Sequence, residues 1–169
     1  MHPDREKARI DELQRLAVMD SAAEAAYDDI VRMAADLCGT PVALISLVDD
    51  HRQWFKARWG TKMSQTPKEL AFCAQAIEAP ERPLIVNDAS KDKRFESNVL
   101  VTEDPGIRFY AGAPLVTSDG HALGTVCVLD TVSRDISAAQ LEQLQFLAQQ
   151  VVKMLETRAA SPLPSGSDA

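Results

Sequence analysis

The sequence has 169 residues, a formal net charge of −7, and a composition of 46% hydrophobic and 25% charged residues, which is ordinary for a soluble protein. This length predicts one domain with a sizeable core, and the negative charge argues against nucleic acid or an anionic membrane as the main partner. No apolar run approaches the ~20 residues of a membrane span, and the charged N-terminus lacks a secretory apolar core. Three cysteines without tight spacing favour reduced thiols, so we expect a cytoplasmic protein.

Two helices are predicted at the start of the chain, at residues 1–20 and 23–37. The apolar residues of the first recur every three or four positions and are Ile10, Leu13, Leu16 and Ala17. This stripe is narrow, and it suits either packing on its own domain or contact with a second copy of the chain. The second helix has Ser21 as its expected N-cap and ends at Gly39.

Two strands should follow. Residues 42–48 are almost continuously apolar, which predicts a strand with both faces covered. Residues 53–59 return as a second strand, and their alternation suits a sheet edge with one wetter side. Its two expected faces are Phe55, Ala57 and Trp59 on one side, and Trp54, Lys56 and Arg58 on the other. His51 lies in the turn between the strands, and we interpret it as a solvated turn residue and not as a metal ligand.

The middle of the chain has weaker patterns. We expect a loop at 61–67, a helix at 68–78, a short strand at 83–86 and a capped helical turn within 87–95. The buried face of the helix should be Phe72, Cys73, Ala76 and Ile77. Residues 96–106 are long and irregular, which is typical either of a functional lid or of a plain surface connection.

Residues 107–130 contain the strongest local signal, because two runs rich in β-forming and small residues flank the dipeptide Asp119-Gly120. A turn centred there predicts the cross-strand pairs Gly112–Cys127, Pro114–Thr125 and Tyr110–Leu129. Both faces of the hairpin are largely apolar, so layers should cover both.

The two faces of this hairpin differ in chemistry. One is purely apolar and small, with Phe109, Ala111, Ala113, Leu115, Gly124, Val126 and Val128. The other mixes an aromatic ring, a hydroxyl and a thiol with residues lacking bulk, and consists of Tyr110, Gly112, Pro114, Thr125, Cys127 and Leu129. This mixed face either leaves room for a ligand or only lets a helix approach.

A long helix is predicted from the cap at Ser137 to residue 158. Its apolar stripe is wide enough to pack on the sheet and also to meet a partner helix. Residues 159–169 are expected to form a disordered tail.

Five segments in order resemble a bacterial GAF domain: PVALISLVDDHRQWFKARWG, AFCAQAI, VNDASKDKRF, IRFYAGAPL and GTVCVLD. The chain is most similar to the subgroup that precedes histidine kinases and diguanylate cyclases. The resemblance implies an α+β fold at residues 21–158, after the N-terminal helix at 1–20. In that fold the terminal helices cover one face of a central antiparallel sheet, and a short helix and loops cover a pocket on the other. It also implies dimerisation through the terminal helices and a regulatory role in signal transduction, without catalysis.

The candidate ligand-binding residues combine this fold with the hairpin faces. Tyr110, Thr125 and Cys127 lie on the expected pocket face. Trp54, Phe72 and Cys73 are the expected contributors from the second strand and the short helix. The polar residues expected at the loop mouth are Asn98 and Arg108.

Three functions remain open at this level. The first is a homodimeric sensor in which an unknown small molecule shifts the packing of the terminal helices and the output passes to a separate signalling effector. The second is thiol-dependent reduction of free methionine sulfoxide, which needs a thiolate of low pKa and a resolving cysteine. The third is a purely structural dimerisation module. The sequence lacks the marks of bilin, cyclic-nucleotide or haem binding, so no cofactor is assigned.

Overall fold

The computed structural model describes residues 3–160. The five helices are α1 (Pro3–Leu16), α2 (Ala25–Cys38), α3 (Phe72–Ala76), α4 (Val99–Thr102) and α5 (Ala138–Ala160). The six strands are β1 (Val42–Val48), β2 (Arg52–Trp59), β3 (Gln65–Pro67), β4 (Leu84–Val86), β5 (Phe109–Val116) and β6 (Ala122–Asp130). Short 3₁₀ turns occur at Lys68–Leu70 and Ala89–Lys91. The remainder of the predicted tail, 161–169, lies outside the described residues.

The strands form one antiparallel sheet in the order β3-β2-β1-β6-β5-β4. The α+β fold with a central antiparallel sheet is therefore confirmed. The β5–β6 hairpin is confirmed in its register, with the pairs Gly112–Cys127, Pro114–Thr125 and Tyr110–Leu129. Alternation then places the small apolar residues and the mixed residues on opposite faces, as the sequence predicts.

The faces of β2 were predicted wrongly because a β-bulge interrupts the strand. Ile45 pairs with Ala57 and Ser46 pairs with Phe55, so Lys56 has no partner in β1. An extra residue of this kind reverses the alternation on one side of the bulge. Phe55 and Ala57 therefore lie on opposite faces of the sheet, in different hydrophobic clusters.

The prediction of β2 as an edge strand is also wrong. The segment expected to be a loop at 61–67 contains β3, which pairs with the first half of β2. Three residues with a proline are too few to show a strand period in the sequence.

The long helices α1, α2 and α5 cover one face of the sheet through a single hydrophobic cluster. Helix α1 packs on its own domain, since Leu13 and Leu16 are buried in that cluster. Its guanidinium at Arg9 is also buried and donates hydrogen bonds to the carbonyls of Val48 (2.6 Å) and Ala122 (3.3 Å). The apolar stripe of α1 therefore contacts the domain's own core. The helix ends at Leu16, earlier than the expected residue 20.

The helix boundaries follow their caps in two of three cases. Gly39 ends α2 in the left-handed conformation (φ 66°), and the Ser137 hydroxyl accepts a hydrogen bond from the Gln140 amide (3.0 Å) at the start of α5. The N-cap predicted at Ser21 is wrong. Helix α2 begins at Ala25, and the Ser21 hydroxyl instead donates to the Val18 carbonyl and accepts from the Lys56 ammonium.

The opposite face is covered by α3, α4, the two 3₁₀ turns and their loops. Its buried apolar residues form two separate clusters and not one. One cluster surrounds Phe72 and Tyr110, and the other surrounds Cys73 and Ile77. Within residues 3–160, no helix combines the length and the apolar character needed to cross a membrane.

Candidate ligand-binding site

A cavity of about 380 Å³ lies on the face of the sheet opposite the long helices. Four strands supply its base, through Leu44, Phe55, Tyr110, Cys127 and Leu129. Gly60, Thr61 and Met63 line its rim together with the segment around α4. Its volume falls at the small end of the range for small-molecule sites.

Aromatic side chains form the inner wall. Phe72 begins α3 and stacks on Phe95, with ring centroids 4.2 Å apart and planes at 4°. The ring of Tyr110 lies against Phe72 at 5.3 Å, tilted by 37°. Because these three rings pack on one another, the wall is held rigidly without a ligand.

The polar groups beneath this wall are satisfied within the protein. The Tyr110 hydroxyl and the Thr125 hydroxyl are 3.2 Å apart, and the Cys127 thiol is 3.8 Å from the Ser46 hydroxyl. Burial raises the pKa of Tyr110 well above its usual range and that of Cys127 to about 11. Both groups are therefore neutral at physiological pH.

A second internal network lies at the junction of β2, β3 and α3. The Gln53 side-chain amide donates to the Thr66 hydroxyl (2.9 Å), and the Cys73 thiol donates to the Gln53 side-chain carbonyl. Gln53 and Thr66 line the cavity, whereas Cys73 is fully buried behind them. Burial raises the pKa of the Cys73 thiol well above its usual range, so the thiolate is disfavoured.

The mouth of the cavity is apolar and acidic. Met63 and Val99 line it and remain exposed, at 45% and 37%. The carboxylates at the rim belong to Glu103, Asp104 and Asp130. Among the described residues, no lysine, arginine or histidine lines this cavity.

Three predicted site residues, Phe72, Tyr110 and Cys127, line the cavity together. Thr125 lies on the same face, but it is fully buried and reaches the cavity only through its contact with the Tyr110 hydroxyl. Cys73 supports the wall from behind.

The placement of Trp54 on this face is wrong. Its side chain packs against the cluster under the long helices, because the bulge at Lys56 reverses the faces of β2. Phe55 and Gln53 take its place in the cavity. The bulge has no local sequence signal, so the sequence alone did not show that Trp54 faces away from the cavity.

Asn98 and Arg108 hold the mouth loop and do not line the cavity. The Asn98 side chain caps α4 by accepting from the Leu100 amide (2.9 Å) and donates to the Leu70 carbonyl (3.1 Å). The Arg108 guanidinium donates to the carbonyls of Val101 (2.9 Å) and Ile107 (3.1 Å). Their polar groups are used to order the loop.

The room expected beside Gly112 is filled by the protein itself. A Cβ atom there would collide with the Tyr110 ring, so the glycine makes space for that side chain. The hollow lies nearer β1 and β2, where Leu44 and Phe55 were not recognised as site residues. The carboxylates at the mouth were also missed, because the loop that carries two of them has no periodic signal.

No group of three or more histidine, cysteine, aspartate or glutamate residues within the described part of the chain is arranged to hold a metal ion.

The chain is similar in sequence to known proteins. The family model for the GAF domain matches residues 22–155. A cyclic di-GMP phosphodiesterase of Pseudomonas aeruginosa is 37% identical over 157 residues, which cover 92% of this chain and 27% of that protein. The chain thus spans about a quarter of the length of this relative.

Solved structures with low sequence identity share the fold. The GAF domain of an Acinetobacter phosphoenolpyruvate-protein phosphotransferase superposes with a TM-score of 0.68 at 20% identity, covering 97% of this chain and 99% of that chain. The type II free methionine-R-sulfoxide reductase of Thermoplasma acidophilum superposes with a TM-score of 0.62 at 9% identity, covering 91% and 96%.

Proposed function

The chain belongs to the GAF domain family, and on that premise we propose that it is a non-catalytic regulatory domain that binds a small molecule in the cavity opposite its long helices. The single observation that carries this proposal is the cavity of about 380 Å³, lined by apolar and aromatic residues. A few polar groups converge on it, as is common in small-molecule sites. We further propose that the chain acts in the cytoplasm.

The test of ligand binding uses a variant that fills the cavity. Leu129 lines the hollow and is nearly buried, so Leu129→Phe should extend a ring into the free space. The matched control is Leu141→Phe on α5, outside the cavity. The unmodified protein, both variants and a metabolite library are compared by thermal denaturation, together with native mass spectrometry of freshly purified protein.

A ligand present at about 100 times its Kd should raise the melting temperature of the unmodified protein and of Leu141→Phe by roughly 5 °C or more. Leu129→Phe should lose this response. A ligand response that persists in Leu129→Phe would place binding elsewhere, and a library with no active compound would favour a purely structural role.

The cysteines do not favour the reductase alternative. All three are buried, and the pKa of each thiol is raised, mainly by burial. An attacking cysteine needs the opposite environment, with access to solvent and a stabilised thiolate. The likeness to methionine sulfoxide reductases is therefore a likeness of fold.

We propose that the domain acts as a homodimer through its helical layer. The stripe of α1 is occupied within the chain, but Phe146 on α5 and Met33 on α2 are exposed, at 55% and 48%. Large apolar side chains in this layer suit contact with a second copy.

Sedimentation velocity should show dimers for the unmodified protein and mainly monomers for Phe146→Gln. Val132→Gln, an equally exposed apolar site in a loop, is the control. A monomer at all concentrations would contradict the dimer.

The relative from Pseudomonas aeruginosa suggests the setting of this domain. We propose that the chain regulates catalysis carried by another domain or by a separate signalling effector, as in a protein that degrades a cyclic dinucleotide. We do not propose that dinucleotide as the ligand of the cavity. Its two phosphates would meet carboxylates at the mouth, with no basic side chain from the described lining residues.

A further inference from the structure

The geometry points to a ligand class for the cavity: we propose that it takes a small aromatic molecule with a protonated amine at the end that faces the mouth. This inference rests on the proposed function, because it assigns chemistry to the same site. Two features of the site support it. The interior is apolar, and its buried polar groups have hydrogen-bond partners within the protein, whereas the mouth carries the carboxylates of Glu103 and Asp104.

The interior of the cavity offers a ligand apolar contacts but few free hydrogen-bonding groups. Its buried polar groups already have partners in the protein: Tyr110 with Thr125, Cys127 with Ser46, and Gln53 with Thr66. A ligand bearing many polar groups would lose its hydration there without gaining new partners, which is costly. The part of the ligand that enters should therefore be apolar.

The shape of the interior favours a flat ring. Phe72 and Tyr110 present a tilted aromatic pair, and Phe55 contributes a third ring from β2. Aromatic groups prefer offset or edge-to-face contact with such surfaces, and this contact adds to the free energy of apolar burial. Phe95 stacks behind Phe72, so the wall need not reorganise when a ring binds.

The carboxylates at the mouth favour a cationic ligand over an anionic one. Within residues 3–160, the carboxylates of Glu103 and Asp104 make no ion pair or hydrogen bond of their own, and both residues are exposed. Asp130 is already paired with Arg134 at 3.2 Å. The guanidinium of Arg108 is held by backbone carbonyls and is not among the residues lining the cavity. A cation at the mouth would meet two unpaired carboxylates, and an anion would be repelled by them.

The access route is consistent with this orientation. Exposed Met63 and Val99 flank the mouth, so an aromatic ring can pass between apolar side chains. The small volume allows one ring with a short chain, which leaves the terminal amine near Glu103 and Asp104.

The test compares three probes that share one ring and one short chain: phenethylamine, phenethyl alcohol and hydrocinnamate. Binding to the unmodified chain is measured by titration calorimetry at low salt. We expect the amine to bind at least about tenfold more tightly than the acid, with the alcohol between them. Raising the ionic strength should reduce this difference, because the mouth is exposed.

The double variant Glu103→Gln with Asp104→Asn tests the mouth directly. Amine binding should weaken by roughly fivefold, while alcohol binding should change little. The matched control is Glu142→Gln with Asp119→Asn, which removes two exposed carboxylates away from the cavity and should leave the order of the probes unchanged.

The outcomes separate this inference from the proposed function. If the acid binds as tightly as the amine, or if the double variant leaves amine binding unchanged, the ligand class is wrong. If none of the three probes binds, the ligand class is also wrong, and the library screen with Leu129→Phe decides ligand sensing independently.

Discussion

Long helices cover one face of the sheet, whereas short helices and loops cover the other. Under α1, α2 and α5 the buried residues form one continuous cluster that reaches four of the six strands, β1, β2, β5 and β6. On the opposite face they form two clusters, and the cavity lies beside the one that contains Tyr110. One face of the sheet is therefore covered by a continuous packed core, and the other face retains a cavity.

This difference in covering helices means that one face of the sheet provides most of the packed core, while the other provides the space for a ligand. A helix of several turns presents a continuous apolar stripe that can follow the sheet and exclude voids. Helices α3 and α4 have five and four residues, and they cover only part of the width of the sheet. The space left between them is available to a ligand, at the cost of a smaller contribution to the core.

The largest expected effect tests this comparison with the same substitution on each face. Leu144 on α5 is fully buried under the helical layer, and Leu144→Ala should lower the free energy of unfolding by about 3 kcal/mol. Leu129 already borders the cavity, so Leu129→Ala removes fewer contacts and should cost only about 1 kcal/mol. Urea denaturation measures both values. Equal losses would show that the ligand face is as well packed as the helical face.

A second prediction concerns the buried ammonium of Lys56, which joins β2 to the segment before α2. The Lys56 side chain is fully buried, and its ammonium donates to the Ser21 hydroxyl (2.8 Å), the Ala22 carbonyl (2.6 Å) and the Glu24 carboxylate (2.6 Å). Lys56→Met removes the donor that these three acceptors share, although the Glu24 carboxylate keeps its ion pair with Arg158 (2.7 Å). The substitution should lower the free energy of unfolding by about 2 kcal/mol.

The control for this substitution is the exposed Lys153 on α5, where Lys153→Met should have little effect in the same urea experiment. If Lys56→Met were as mild as the control, the contacts of the buried ammonium would add no net stability.

The smallest expected effect concerns Glu6, which joins the two faces at one end of the sheet. Its carboxylate contacts Arg9 on α1 (2.9 Å) and Lys68 on the ligand face (3.0 Å). The hydrogen bond from Arg9 is the main cause that lowers the pKa of Glu6 to about 2. Because the pKa is lower in the folded state, the ionised form adds stability above about pH 4.5, and this contribution is lost as the pH falls towards 2.

The partly exposed pair should contribute under about 1 kcal/mol. The free energy of unfolding of Glu6→Gln should therefore depend less on pH between 4.5 and 2 than that of the unmodified protein. Asp11→Asn, at an exposed ion pair within α1, serves as the control. An identical pH dependence in Glu6→Gln and the unmodified protein would mean that the two faces are not joined through this carboxylate.

Much of the fold was predictable from local patterns. The hairpin register followed from the position of Asp119-Gly120, and the strands and long helices followed from their apolar periods. The strand β3 and the single turn α4 were missed, since segments of three or four residues are too short to show a period. The bulge at Lys56 was missed because it depends on the pairing partner of β2.

The candidate site was predictable only in part. Strand alternation and helical spacing grouped Tyr110, Cys127 and Phe72 by face, the GAF resemblance implied that the pocket lies on that side, and these residues line the cavity. Trp54 was assigned to the wrong face, and the carboxylates of the mouth were not recognised. Both errors concern residues whose position is set by contacts between segments and not by a pattern within one segment.

By itself, the sequence determined the order of the long helices and longer strands, the register of the central hairpin and the separation of its two faces, because these depend on turn chemistry and side-chain periodicity. Only the tertiary structure decided that the hollow lies towards β1 and β2, that Phe55 and not Trp54 faces it, and that unpaired carboxylates stand at its mouth. A hollow is the space that separate segments fail to fill, so it is defined by their packing and not by the pattern of any one of them.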